Sequence, residues 1–339
     1  MSELPPSPWG VLAEELEQDL STPLAESLNH PLVTPLSDTA ALRIQGQRWR
    51  EFLQGQLTCD VREARPDQAL AGAFCTPQGR MVANFLLVCA EEDDHAWLQL
   101  PRSVAPALQQ TLQKYAAFSR VSVEHDPERL GIGILLQPGS PPPPPLASLS
   151  PGKALHCHRA EDHLILQRDE AGHRLEWWQS VTAAQESWPP LAAALSPAPP
   201  DSWRLLDIRA GLGQVEAETS GSFLPQMLNL DLLGAVSFRK GCYTGQEIIA
   251  RLHYRGQSRR RMQAVTGPLA ADQPPPRPGQ RLLDAQGRSQ GELVQAVVAA
   301  PGRFEGLAVV ALPPPTALTL DEAGTEVRLG PLPYAITEE

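Results

Sequence analysis

The chain has 339 residues, 42% of them hydrophobic and 20% charged, which is a globular composition and, at ~100–200 residues per domain, a length for two or three domains. Acidic residues outnumber basic ones 39 to 28, and the formal charge of −11 disfavours a general nucleic-acid coat or an anionic-membrane binder, both of which need broad positive fields. No apolar run approaches the ~18–20 residues that span a bilayer, the N-terminal MSELPPSPWGVLAEELEQDL does not read as a signal peptide, and a cytoplasmic location is the expectation.

In chain order, residues 9–28 read as helical with a break near Pro23, and ALRIQG reads as a strand. RWREFLQGQL places Trp49, Phe52 and Leu53 at i, i+3 and i+4, a helical stripe. AGAFCTPQGRMVANFLLVC predicts two strands around the turn Thr76-Pro77-Gln78-Gly79, and HAWLQL predicts a further strand. From Ser103 to Phe118 the apolar residues Val104, Leu108, Leu112 and Tyr115 recur at helical spacing, and RVSVEH and LGIGILL return to strand. The order predicts α+β layers, helices on one face of an antiparallel sheet. Residues 138–152, PGSPPPPPLASLSPG, predict an extended, semi-rigid surface spacer and the plainest domain boundary. ALHCHRA, HLILQRD and RLEWWQS follow as strands, then helical stretches near 181–195 and 201–209. The last ~80 residues alternate short β-rich runs with Gly and Pro turns, the pattern of a small antiparallel barrel or sandwich. The domains expected are 1–137 (α+β), the linker 138–152, 153–257 (a second α+β domain) and 258–339 (barrel).

The five cysteines, Cys59, Cys75, Cys89, Cys157 and Cys242, contain no CxxC pair, which argues against a disulfide framework, a zinc knuckle or a self-contained iron–sulfur cluster. His156-Cys157-His158 with His163 is a weak metal candidate: along a strand the two histidines share one face and Cys157 takes the other. Trp177 and Trp178 are expected to pack on opposite faces of their strand.

Arg239 to Arg261 holds the densest chemistry. Seven Lys/Arg (Arg239, Lys240, Arg251, Arg255, Arg259, Arg260, Arg261) against the single acid Glu247 leave a local charge of +6. Such a stripe is either a solvated face paired with acids elsewhere or a site for a compact anion such as phosphate, a polycarboxylate tail or a short RNA stretch. Within it, KGCYTGQE sets Cys242 after two cations and before a predicted helix, GQEIIARL, and both favour the thiolate. Gly241 and Gly245 permit positive φ or close backbone approach. Gln246 and Glu247 add an amide and a carboxylate at the same turn.

KGCYTGQE resembles the signature of the YgfZ family, folate-binding proteins linked to tRNA modification and iron–sulfur protein maintenance. The resemblance extends to RIQGQRWREFLQGQLTCDV, CTPQGRMVANF, LQKYAAFSRVSV and the stretch from DIRAGLG to LHYRG, roughly residues 36–265. It implies the fold of the glycine-cleavage aminomethyltransferases: ferredoxin-like antiparallel layers around a central folate cleft, closed by a C-terminal antiparallel β-barrel. It also implies tetrahydrofolate or a related reduced folate as ligand, and iron–sulfur proteins, including tRNA-modifying enzymes, as partners. Direct nucleic-acid binding is not expected. Cys242 is the implied reactive thiol, and Trp203, Thr39, Lys240, Tyr243, Gln246, Glu247 and Arg255 are the implied folate residues. Trp203 matches a tryptophan implicated in folate binding in the family, whereas Thr39 stands near where the family has its other one. A second departure is Ala83-Asn84, where the aminomethyltransferases carry an acidic pair. Neither residue is a general base at neutral pH, which favours an accessory protein over the alternative, a folate-dependent aminomethyl transferase.

Overall fold

The computed structural model describes residues 4–18, 23–92, 94–147, 149, 152–160, 163–256, 258–270, 273, 275–321 and 324–336. In chain order the elements are α1 (Gly10–Gln18), α2 (Leu24–Ser27), β1 (Leu32–Pro35), β2 (Thr39–Gln45), α3 (Trp49–Gln54), β3 (Leu70–Cys75), β4 (Met81–Cys89), β5 (His95–Pro101), α4 (Ala105–Ser119), β6 (Ser122–His125) and β7 (Arg129–Leu135). They continue with β8 (Cys157–Ala160), β9 (His163–Gln167), β10 (Arg174–Ser180), α5 (Val181–Ala194), β11 (Ser196–Pro197), α6 (Pro200–Arg209) and α7 (Gln246–Arg255). The C-terminal strands are β12 (Arg260–Pro268), β13 (Arg281–Leu283), β14 (Ser289–Ala300), β15 (Arg303–Ala311), β16 (Leu318–Leu320) and β17 (Glu326–Gly330). The helix expected over 9–28 is present as α1 and α2, and residues 19–22 lie outside the described residues.

The contacts divide the chain into two units. The first comprises Met1–Phe52, Arg62–Leu70 and Phe85–Trp203. Its six-stranded sheet runs β11-β1-β7-β10-β9-β8, and its face carrying Ile132, Ile134, Leu175 and Trp177 packs against α5 and Trp9. Ser180 caps α5, its hydroxyl accepting from the Ala183 N–H at 3.2 Å. The opposite face sets Leu164, Leu166 and Trp178 against Ala41, Val88 and Trp97 of β2, β4 and β5. Trp177 and Trp178 therefore bury on opposite faces of β10, as the period-2 rule requires. The order of the five-stranded sheet is β3-β4-β5-β2-β6, and α4 covers it with Leu108, Leu112 and Ala116.

The proline-rich segment lies inside this unit and not at a boundary. β7 before it pairs with β10 after it, from Arg174↔Leu135 to Ser180↔Arg129, and Leu146 is buried in the core beside Trp177. Proline content marks where a connection crosses the surface; the pairing of apolar faces decides which strands meet.

The second unit comprises Leu53–Val61, Ala71–Asn84 and Arg204–Glu339. Its barrel closes in the order β12-β15-β14-β13-β16-β17 around Val265, Leu293, Phe304, Ala308 and Leu320. KGCYTGQE belongs to the same unit as the barrel, which departs from the expected division at 257/258. Hydrogen bonds to the Leu53–Val61 stretch and a close backbone approach to the Ala71–Asn84 stretch, described next, tie the motif there. Among the described residues, no helix is long and apolar enough to cross a membrane.

Candidate functional site

The motif loop is held from beneath by Lys240. Its side chain is buried, and its ammonium donates to the carbonyls of Leu57 at 2.7 Å and Cys59 at 2.8 Å. It also lies 5.1 Å from the Tyr243 ring centroid. The same LTCD stretch is pinned through Thr58, whose hydroxyl donates to Ala235 O at 2.8 Å and accepts from Ala73 N at 2.9 Å, while Thr58 O accepts from Ser237 N. Asp60 is buried and accepts from the Gln54 side chain at 3.0 Å. Lys240 is therefore a structural cation, not one reaching for an anionic ligand. Tyr243 is buried under it, and burial, with the Cys75 thiol nearby, pushes the phenol well above its ordinary pKa.

From above, the β3–β4 turn crosses the start of α7. Gly245 has φ +82, and a Cβ there would lie 2.5 Å from Thr76 O and 2.9 Å from Gly79 Cα. The two backbones approach as only glycine allows. Gly241, by contrast, has no atom within 4 Å of such a Cβ. Between these fixed points Cys242 is exposed, and Cys59, Cys75, Cys89 and Cys157 are all buried. Burial raises the Cys157 thiol to about 12 and Cys75 further still. The chain presents one thiol to solvent. Gln246 is half-buried at the start of α7, and Glu247 and Arg255 are exposed on it.

The basic stripe resolves into parts. Arg261 is bidentate on Asp231 at 2.7 and 3.0 Å, and Lys240 is committed as above. Arg260 and Arg80 flank Glu292 of β14, whose half-buried carboxyl is raised by desolvation against the pull of Ser222 and both guanidinium groups. Nothing in the sequence around Glu292 marks it as such. Arg239, Arg251, Arg255 and Arg259 are exposed, and among the described residues no carboxylate pairs with any of them. Asn84 is buried with both ends of its amide spent: Nδ2 donates to Gly213 O and Oδ1 accepts from Val215 N, each at 2.8 Å.

Trp203 and Thr39 belong to the first unit. The Thr39 hydroxyl donates to Leu36 O at 2.9 Å, a local turn bond. Trp203 is 5% exposed and lies over β7, where a Cβ on Gly133 would come within 2.7 Å of its Cε3 and 2.9 Å of the Thr34 methyl. The Arg174 guanidinium is 4.8 Å from its ring centroid. The hydroxyls of Thr34 and of Ser202 are buried with no hydrogen-bond partner among the described residues. This face of the six-stranded sheet also buries Glu176, which is paired to Arg168 and accepts from Trp178 Nε1 at 3.1 Å. The sequence singles out Trp203, but RLEWWQS reads as an ordinary packing strand, so Arg174 and Glu176 beside it go unmarked.

His156 and His158 meet with ring centroids 4.6 Å apart, on the opposite side of the strand from the buried Cys157, and His163 is turned to Trp177 instead. Among the described residues, no group of three or more His, Cys, Asp and Glu is placed to hold a metal ion.

Over 308 residues the chain is 30% identical to the tRNA-modifying protein YgfZ of Escherichia coli, a match covering 89% of this chain and 93% of that one. The chain belongs to the YgfZ family. The same identity and coverage hold for the YgfZ proteins of Escherichia fergusonii and Shigella dysenteriae serotype 1. No family model matches the chain. Among solved structures, the glycine cleavage system aminomethyltransferase T from Bartonella henselae aligns with a TM-score of 0.72 over 91% of this chain and 89% of that one, at 17% identity. The likeness establishes the aminomethyltransferase-type α+β fold with its C-terminal barrel, as the sequence resemblance implied.

Proposed function

We propose that this member of the YgfZ family is a cytoplasmic folate-binding accessory protein for iron–sulfur-dependent tRNA modification, with Cys242 as its reactive thiol. The observation that carries the folate reading is the setting of Trp203. An indole next to a guanidinium, with two stranded buried hydroxyls on neighbouring residues, is the mixture of aromatic face and aimed polar groups that a pterin takes up. A buried polar atom without a partner costs ~1–3 kcal/mol, which a ligand bonding to it recovers. Trp203, Arg174, Thr34 and Ser202 would hold the ring. Lys240, Tyr243 and Thr39 are not direct contacts, because their polar groups or rings are engaged internally, and Gln246, Glu247 and Arg255 belong to the other unit. When bound, a reduced folate would carry one-carbon units on its N5 and N10 nitrogens.

The accessory role is preferred to aminomethyl transfer because Asn84 stands where a carboxylate is needed, with both amide ends bonded to backbone. Cys242 can supply one thiolate, so an iron–sulfur cluster handled as cargo would need further ligands from a client protein. Cells carrying Cys242→Ala or Cys242→Ser in place of the wild-type chain test the thiol. Loss of activity in iron–sulfur tRNA-modifying enzymes with both variants supports the role, and wild-type behaviour of both removes it.

A further inference from the structure

We propose that the α7 face of the second unit is an RNA-docking surface that takes an unpaired stretch with its bases exposed. Two independent features meet there. Arg239, Arg251, Arg255 and Arg259 are exposed, and no carboxylate among the described residues pairs with them. Glu247 stands four residues before Arg251, the spacing at which a helix readily forms an ion pair, yet no such pair is made. Interleaved with them is an aromatic group that the barrel does not bury. The rings of Phe238 and His253 stack at 3.7 Å and 8°, Tyr254 meets His253 edge-on at 4.7 Å, and Tyr254 is 66% exposed.

A merely solvated face has its charges mixed in sign and its large aromatics turned inward. Open rings beside unpaired guanidinium groups instead match single-stranded nucleic acid, in which each base has a π-face to stack and each phosphate accepts the planar fork of an arginine. A duplex hides its bases and could use only the charges. An acidic polypeptide would use the arginines and leave the rings idle. The net charge of −11 does not forbid this. At physiological salt, fields decay over ~8 Å, so the local cluster and not the whole-chain sum governs binding at this face. The sequence expectation against direct nucleic-acid binding rested on that sum and on the absence of a recognised RNA-binding motif. The proposal does not depend on the folate reading, and either can fail alone.

Fluorescence anisotropy with the full-length protein tests it, using a short labelled RNA hairpin with an open loop and a blunt RNA duplex of equal length. The hairpin is expected to bind more tightly than the duplex, with affinity falling as salt rises. Tyr254→Ala is expected to weaken the hairpin about tenfold and leave the duplex unchanged. The double variant Arg251→Gln/Arg259→Gln is expected to weaken both RNAs and to flatten the logarithmic salt slope for the hairpin by about 1.4, since each single-strand phosphate that is no longer neutralised removes about 0.7 from it. Tyr254, Arg251 and Arg259 are all exposed, and circular dichroism checks that each variant keeps its fold. Absence of salt-dependent binding at about 50 mM salt, or equal hairpin affinity in wild type and Tyr254→Ala, overturns the proposal. Displacement of the hairpin by an equimolar poly-glutamate peptide also overturns it and assigns the face to an acidic polypeptide.

Discussion

The ammonium of Lys240 donates to the carbonyl oxygen of Cys59 at 2.8 Å, joining two segments 181 positions apart in the chain. With the parallel bond to Leu57 it makes the LTCD stretch a receptor for the KGCYTGQE loop. This bond explains why a lysine beside an exposed cysteine is itself buried. It sets the loop's height, while the Gly79–Gly245 crossing fixes the loop's other end.

Replacing Lys240 with Met keeps the stem and removes the charge, leaving two buried carbonyls without that donor. The expected cost is about 2–4 kcal/mol in urea unfolding, well above that of a surface lysine. An unchanged midpoint would mean the ammonium is not a structural bond.

Gly245→Ala and Gly241→Ala form a matched pair. At Gly245 the left-handed backbone and the 2.5 Å approach to Thr76 O should together cost about 2–4 kcal/mol. At Gly241, where nothing stands within 4 Å, the change should stay within about 0.5 kcal/mol. The difference between their denaturation midpoints measures the backbone crossing directly.

Much of this fold is legible in the sequence, and the limits are instructive. Period-2 and period-3.6 patterns locate β2, the β3–β4 hairpin, α4 and the barrel strands, because each buries one face of a simple repeat. Cys242 stands out because glycines and cations surround it, where Cys89 sits in an apolar run. What the patterns do not supply is the partner of each polar group. Lys240 and Arg255 look alike in the sequence, yet one is sealed against backbone carbonyls and the other faces solvent. The division of the chain is hidden as well. Residues 53–61 and 71–84 join the barrel's unit through side-chain-to-backbone bonds such as Asn84 to Gly213, which leave no mark on composition.

Thiol titration of the native protein should modify one cysteine quickly and the other four only after unfolding. The Cys157 thiol adds a pH signature. Its folded pKa is raised, so the neutral form is favoured in the fold. That contribution is intact below the ordinary value of 9.0 and is lost as pH rises toward about 12. Alkaline unfolding that begins above pH 9 and is blunted in Cys157→Ser is the expected result.

In the barrel, Asp284 accepts from the backbone N–H of Arg288 and of Gln286 and from the side chains of Gln290 and Arg288, which lowers its carboxyl to about 2. Because the folded value is depressed, its stabilising effect is present above 3.8 and disappears as pH falls through about 2. Carboxyl NMR should place this titration at about 2, below the ordinary aspartate value of 3.8, and Asp284→Asn should loosen the β13–β14 turn at neutral pH.

Calorimetric titration of the purified chain with tetrahydrofolate bears most directly on the central claim. One saturable site is expected, weakened at least tenfold by Trp203→Ala and left intact by Cys242→Ser. No heat with the wild type, or equal affinity in Trp203→Ala, would contradict the assignment of Trp203 to a folate site.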